Sequence, residues 1–258
     1  MSSRFVRLRN RSNGSWGEVN KDGVVSLIEG DPGSSYGVRD EIGLLSDVDI
    51  EPLAFGKNVF GLAYNYKDLV GIEKAEQEPL VFNKGHFSIT NSAADIEILS
   101  WMENVWVEVE LAIVIGRSLF RASREQAATA ILGYTIANDI TTTNLYSRDH
   151  HLLRSKSGLG LCPMGEVLIR DVDTSSLRMT TKINGRVTQQ SSTQKRILDD
   201  ADSVSLISQY VPLEVGDVII TGTPAGALDS IVRPGDIVDM EIEGIGSIHQ
   251  LVVGERVK

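Results

Sequence analysis

The stretch Trp106-Val107-Glu108-Val109-Glu110-Leu111-Ala112-Ile113-Val114-Ile115-Gly116 constrains the fold more than any other part of the chain. Its β-branched residues and period of two identify a strand, with Val107, Val109, Leu111, Ile113 and Ile115 along one face. The opposite face carries Glu108 and Glu110, with Trp106, Ala112 and Val114 as neighbours. Two carboxylates about 7 Å apart along a strand repel each other, more so where burial removes solvent screening. Either this is the exposed polar face of an amphipathic strand, or a divalent cation turns the repulsion into a ligand set.

Strand signals recur throughout. Residues 4–8, 16–19 and 24–28 alternate or run apolar, and Asn13-Gly14, Asp22-Gly23 and Pro32-Gly33 mark turns between them. Residues 1–55 therefore read as a small β-rich N-terminal subdomain, ahead of a second domain over 56–258. Further strands are expected at 58–63, 79–82, 105–115, 131–137, 166–169, 179–184, 217–221, 237–242 and 247–253. Asn184-Gly185 sits between two strand-like runs and predicts a hairpin. Helices are few. Ser123 and Gln126 form a capping box that predicts a helix over 127–132, and Asp202 or Ser203 caps a second with Val204, Ile207 and Val211 as its apolar stripe. No βαβ rhythm and no internal repeat is present, so the class is mainly β with a few packed helices, α+β.

The 258 residues are 41% hydrophobic, enough to bury a large core. A net charge of −10 without a basic tract argues against nucleic-acid or anionic-membrane surfaces. No apolar run approaches the roughly 18–20 residues of a membrane span, and the first residues lack the apolar core of a signal peptide. Cys162 is the only cysteine, which fits a reducing, cytoplasmic setting.

A third acid strengthens the metal reading. Asp139 ends the run Gly133-Tyr134-Thr135-Ile136-Ala137-Asn138-Asp139, where an acid faces a cleft or caps the next turn. Three carboxylates with positions left for water and substrate suit Mg²⁺ or Mn²⁺, whereas four scattered histidines and one cysteine argue against zinc. Lys156, in Arg154-Ser155-Lys156-Ser157-Gly158, is either a solvated surface lysine or a group that holds an oxyanion or, with a lowered pKa, moves a proton. The turn Thr221-Gly222-Thr223-Pro224 either binds a carboxylate through N–H groups and a hydroxyl or is an ordinary tight turn. Cys162 lacks a histidine partner and reads as inert core, and the consecutive His150 and His151 read as loop residues.

The order of these motifs resembles the fumarylacetoacetate hydrolase superfamily. The matching segments are NVFGLAYNY from Asn58, PLVFNK from Pro79, the E-x-E strand, Gly133 to Asp139, Lys156 to Gly165 and GDVIITGTPAG from Gly216, colinear over about residues 57–254. The resemblance implies a mixed β-roll with a small N-terminal β subdomain, assembled as a homodimer. It implies that Glu108, Glu110 and Asp139 ligate Mg²⁺ or Mn²⁺, that Lys156 is the active-site lysine and that Thr223 contacts the substrate carboxylate. Gly222, Arg154 and Tyr66 complete the implied substrate-binding set. Members act on 2-oxo acids or their enols by cleaving C–C bonds, decarboxylating or tautomerising them. Hydrolytic members carry a water-activating histidine after the N-Y element and a glutamate three residues on. Here Leu69 stands at the histidine position, and Glu73 lies one residue beyond the glutamate spacing. The segment from Leu153 to Gly165 looks most like the isomerase/decarboxylase branch, which handles unsaturated 2-hydroxy or 2-oxo dicarboxylates of aromatic catabolism through an enolate. The alternatives are a C–C hydrolase of acylpyruvate or fumarylpyruvate type, with His86 or Glu73 activating water, and a non-catalytic relative of the same fold. Residues 68–77 are the expected lid.

Overall fold

Apolar alternation becomes strand almost throughout the described residues, 2–9, 15–56, 58–71 and 77–256 of this computed structural model. Glu73, the turn residues Asn13 and Gly14, and half of the expected lid, residues 72–76, lie outside them. Ser3–Leu8 (β1), Trp16–Val19 (β2), Val24–Gly30 (β3), Tyr36–Leu44 (β4) and Ile50–Glu51 (β5) form an antiparallel wing. The chain continues through Val59–Ala63 (β6), Lys67–Val70 (α1), Leu80–Lys84 (β7), Ile89–Asn91 (β8), Ile96–Ile98 (β9), Val105–Trp106 (β10) and Val109–Ile115 (β11). Arg124–Ala128 (α2), Ile131–Asn138 (β12), Thr141–Thr142 (β13), Leu153–Lys156 (α3), Cys162–Met164 (β14) and Leu168–Arg170 (β15) follow. The last part holds Arg178–Ile183 (β16), Arg186–Ser192 (β17), Asp200–Tyr210 (α4), Val218–Ile220 (β18), Ile231–Val232 (β19), Ile237–Ile242 (β20) and Gly246–Gly254 (β21).

The large sheet runs β4-β3-β2-β1-β15-β12-β11-β18-β6-β7, so the N-terminal wing joins the rest of the chain through β1 and β15. A second sheet runs β17-β16-β20-β21-β9, and a small third one β13-β10-β19. Most pairs are antiparallel, but β18 pairs with β6, β14 with β8 and β21 with β9 in parallel. The class is α+β with mixed sheets. No helix among the described residues is long and apolar enough to cross a membrane.

β11 is central, with β12 on one side and β18 on the other. Val107, Val109 and Leu111 pack against Met179, Val238, Met240 and Ile248 of the second sheet. Further along, Ile113 and Ile115 pack against Val204 and Ile207 of α4. Ala112 and Val114 face the opposite core, with Phe82, Cys162 and Met164. Burial on both faces removes the exposed-face alternative for Glu110, which is 2% accessible.

The structure corrects four sequence expectations. The single strand over 105–115 is two, because Val107 N–H turns to the Ser230 carbonyl (3.1 Å) and Glu108 N–H to Asn138 Oδ1 (3.1 Å). The capping box at Ser123 and Gln126 is present, but its helix ends at Ala128 and Ile131 already belongs to β12. The cap of α4 is Asp199, whose side chain accepts from Asp202 N–H. β4 was not expected, since it is exposed or half-buried along its length and shows no apolar alternation.

Candidate active site

Glu110 lies on β11, Glu108 just before that strand begins, and Asp139 just past the end of β12. The antiparallel register pairs Val109 with Asn138, so the start of β11 and the end of β12 are neighbours. Residues far apart in sequence therefore meet. One carboxylate oxygen from each of Glu108, Glu110 and Asp139 lies within 4.8 Å of the others.

Two buried lysines face this cluster. Lys156, at the end of the one-turn helix α3, reaches Glu108 Oε2 at 2.9 Å and also contacts Asp139 Oδ2. Its 8% accessibility rules out a solvated surface lysine. The ammonium also sits 4.8 Å from the centre of the Phe82 ring, a cation–π contact. That ring lies flat against β6 because Gly61 has no side chain; a Cβ there would fall 2.1 Å from it. Asp149 holds α3 in place by accepting from both the N–H and the hydroxyl of Ser155, each at 2.7 Å.

Lys84, at the end of β7, is fully buried and donates to Asp139 Oδ1 and to the Ile140 carbonyl at 3.2 Å. The sequence reading gave it no role. Its signal was the period of two in β7, which turns Phe82 and Lys84 inward together.

Each acid carries a further fixed donor or a cation. Glu110 Oε2 accepts from Gly222 N–H at 2.6 Å, and Glu108 Oε2 from the Thr141 hydroxyl at 3.2 Å. Burial pushes the Glu108 carboxyl up, only partly opposed by Lys156. Burial and then the Asp139 charge push Glu110 well above the ordinary range. Burial would also raise Asp139, but the Lys156 and Lys84 ammonium groups hold it below its usual value. Lys156 moves the other way from its sequence expectation: burial opposes its charge, yet Asp139, Glu108 and Glu110 together raise its pKa. It is a protonated group here, not a neutral base.

Three carboxyl groups against two ammonium groups leave one acid without a cation of its own. Hard oxygen donors in a buried cluster fit Mg²⁺ or Mn²⁺.

The other sequence candidates are distributed unevenly. Thr223 is buried beside β11, its hydroxyl 3.3 Å from the Val109 carbonyl. Gly222 is in the left-handed region at φ +95°, and its N–H is engaged by Glu110. Tyr66 is fully buried, its hydroxyl 3.0 Å from Met179 Sδ. Arg154 is exposed on α3 two residues before the buried Lys156, and the structure does not bring it to the carboxylates. Leu69 packs against the core that holds Tyr66, and His86 is exposed two residues beyond Lys84. Cys162 is fully buried in β14, where burial pushes its thiol up to about 12.

Compared with known proteins, residues 55–253 match the fumarylacetoacetate (FAA) hydrolase C-terminal family. The chain is 33% identical over 212 residues to the oxaloacetate tautomerase YisK of Bacillus subtilis, covering 76% of this chain and 69% of that protein. The crystal structure of a 2-hydroxyhepta-2,4-diene-1,7-dioate isomerase from Mycobacterium marinum superposes with a TM-score of 0.86 at 29% identity, over 99% of this chain and 100% of that one. A 5-carboxymethyl-2-hydroxymuconate delta-isomerase from Mycobacterium smegmatis gives a TM-score of 0.85 at 30% identity, over 98% and 100%.

Proposed function

This chain belongs to the fumarylacetoacetate hydrolase family, and from that premise we propose that it is a divalent-metal-dependent enzyme acting on a small 2-oxo acid or its enol. The reaction is proton transfer between carbon and oxygen, of isomerase type, or loss of CO₂, of decarboxylase type. The observation that carries this reading is the convergence of Glu108, Glu110 and Asp139 beside two buried ammonium groups.

Glu108, Glu110 and Asp139 would hold Mg²⁺ or Mn²⁺. Bound there, the ion supplies a Lewis acid that polarises the 2-oxo carbonyl. Lys156 supplies a second positive charge, one hydrogen-bond length from the acids, which stabilises negative charge developing on the substrate. Its ammonium also carries the proton that a carbon or oxygen atom receives as the enol and keto forms exchange. The Thr223 hydroxyl takes the substrate carboxylate. Lys84 holds Asp139 from the side away from Lys156 and stays out of the chemistry.

Hydrolysis needs a base to activate water, and Leu69 offers none where it packs in the core. The named activities of the tautomerase and isomerase relatives support the same choice. Substrates of the type implied by those names are unsaturated 2-oxo or 2-hydroxy dicarboxylates, as in aromatic catabolism. We place the protein in the cytoplasm as a homodimer.

The test is oxaloacetate with Mg²⁺ or Mn²⁺, following the enol by ultraviolet absorbance and pyruvate by a coupled assay, with an acylpyruvate in parallel. Metal-dependent enol–keto exchange or pyruvate release is expected. Cleavage of the acylpyruvate with neither reaction on oxaloacetate would make the protein a C–C hydrolase.

A further inference from the structure

Gln189 belongs to β17 of the second sheet, yet its side chain reaches the active-site strand of the first. It is 1% accessible, and all four hydrogen-bonding positions of its amide are engaged. Oε1 accepts from Val109 N–H at 3.3 Å and from the Thr181 hydroxyl at 2.8 Å. Nε2 donates to the Thr223 hydroxyl at 2.9 Å and to the Pro224 carbonyl at 3.2 Å. The amide has one possible orientation, because Val109 N–H can only donate and the Pro224 carbonyl can only accept.

Two consequences follow. Val109 lies between Glu108 and Glu110, at a point where β18 no longer runs alongside β11; their pairing covers only Ala112 to Val114. Gln189 on Val109 N–H and Thr223 on the Val109 carbonyl take the places that a neighbouring strand would fill. The second consequence concerns Thr223. Its oxygen accepts the Gln189 N–H, so its own proton must point elsewhere. The Val109 carbonyl is 3.3 Å away, longer than the roughly 2.7–2.8 Å of a typical O–H···O bond. That proton goes to the Val109 carbonyl in a long bond, which a charged carboxylate can outcompete.

We propose that Gln189 is a positioning residue that fixes the Thr223 hydroxyl as a donor toward the substrate carboxylate. The proposal rests on the carboxylate role given to Thr223 above. An acceptor at position 189 would reverse the hydroxyl and turn its proton away from the substrate.

The test is a double-mutant cycle read by calorimetric titration of pyruvate into Mg²⁺-loaded protein. Thr223→Val and Gln189→Met should each weaken pyruvate about tenfold, the range for one hydrogen bond to a charged group. The double variant should bind no more weakly than Thr223→Val alone, and Mg²⁺ affinity should stay within about twofold in every variant. A purely structural Gln189 would give the same loss in both backgrounds, or none, and either result overturns the proposal. If Thr223→Val binds pyruvate normally, the carboxylate role itself fails and the proposal with it. Thermal melts accompany each variant. If Gln189→Met does not melt cooperatively, the cycle is run with Gln189→Glu, which keeps the acceptor for Val109 N–H and Thr181 and replaces the donor with a charged acceptor. Its effect is then read as the difference between the Thr223 and Thr223→Val backgrounds, which the proposal requires to be larger with the threonine present.

Discussion

Arg196 and Asp200 form a largely buried ion pair at the start of α4, and every nitrogen and oxygen of the two charged groups has a hydrogen-bond partner. Asp200 accepts from Arg196, from the Tyr134 hydroxyl at 3.0 Å and from the Thr174 hydroxyl, while Arg196 also donates to the Thr193 and Thr174 carbonyls at 3.2 and 3.3 Å. The cluster around Asp139 has similar ingredients but a different sum: among the described residues, three carboxyl groups share two cations, Lys84 and Lys156. The first network balances one charge against one and ties α4 to β12. The second keeps two glutamates above their ordinary pKa range, an arrangement that costs stability until a cation joins it. The balanced network serves the fold, and the unbalanced one is where we place the metal and the chemistry.

The largest effect that could break this contrast is kinetic. Lys156→Met should lower kcat by about 10²–10⁴-fold, with a smaller change in KM, because its charge matters most in the transition state. Steady-state rates on the best 2-oxo acid substrate measure it, and near-wild-type turnover would reduce Lys156 to a structural ion like Arg196.

Next comes stability at the balanced pair. Asp200→Ala leaves Arg196 buried without its carboxylate and should cost about 3–5 kcal/mol in urea unfolding. Mg²⁺ affinity of the folded protein should not change. A loss of metal binding would show that the two networks are one.

The smallest effect is a gain. Glu110 has a raised pKa, so the folded chain keeps this proton to higher pH than the unfolded chain does. Its contribution is full below the ordinary carboxylate range and is lost as pH rises through the raised value. Metal-free Glu110→Gln should therefore melt higher than wild type above that pH, by about 2–4 °C for each kcal/mol relieved, with the difference fading on acidification. Melting curves across pH in the presence of a chelator test this. A lower melting temperature at every pH would mean that the Glu110 charge does not burden the fold.

The strands carrying the acids were legible because period-two alternation survives in β11 and β12 and fixes which side chains share a face. The convergence of Glu108, Glu110 and Asp139 came from the order of motifs, since nothing local states that β11 and β12 pair at Val109 and Asn138. Lys84 has no legible role within PLVFNK, because its partner Asp139 becomes a neighbour only through the packing of the sheet. α3 is a single turn with no periodicity to read, and its support from Asp149 is a tertiary contact. Gln189 is equally hidden, as a polar residue of a hairpin whose partners Val109 and Thr223 come from the first sheet and the turn after β18. Unbroken period-two alternation from Val105 to Ile115 concealed where β10 ends and β11 begins, because an alternating run looks the same whichever strand it pairs with.

The most direct test is calorimetric titration of Mg²⁺ and Mn²⁺ into the chelator-treated protein and its Glu110→Gln variant. The account predicts saturable binding of one ion per chain in the wild type, with a rise in melting temperature, and at least about tenfold weaker binding in the variant. Wild-type protein that shows no saturable binding, or a variant that binds as tightly, would contradict the assignment of Glu108, Glu110 and Asp139 as a metal centre.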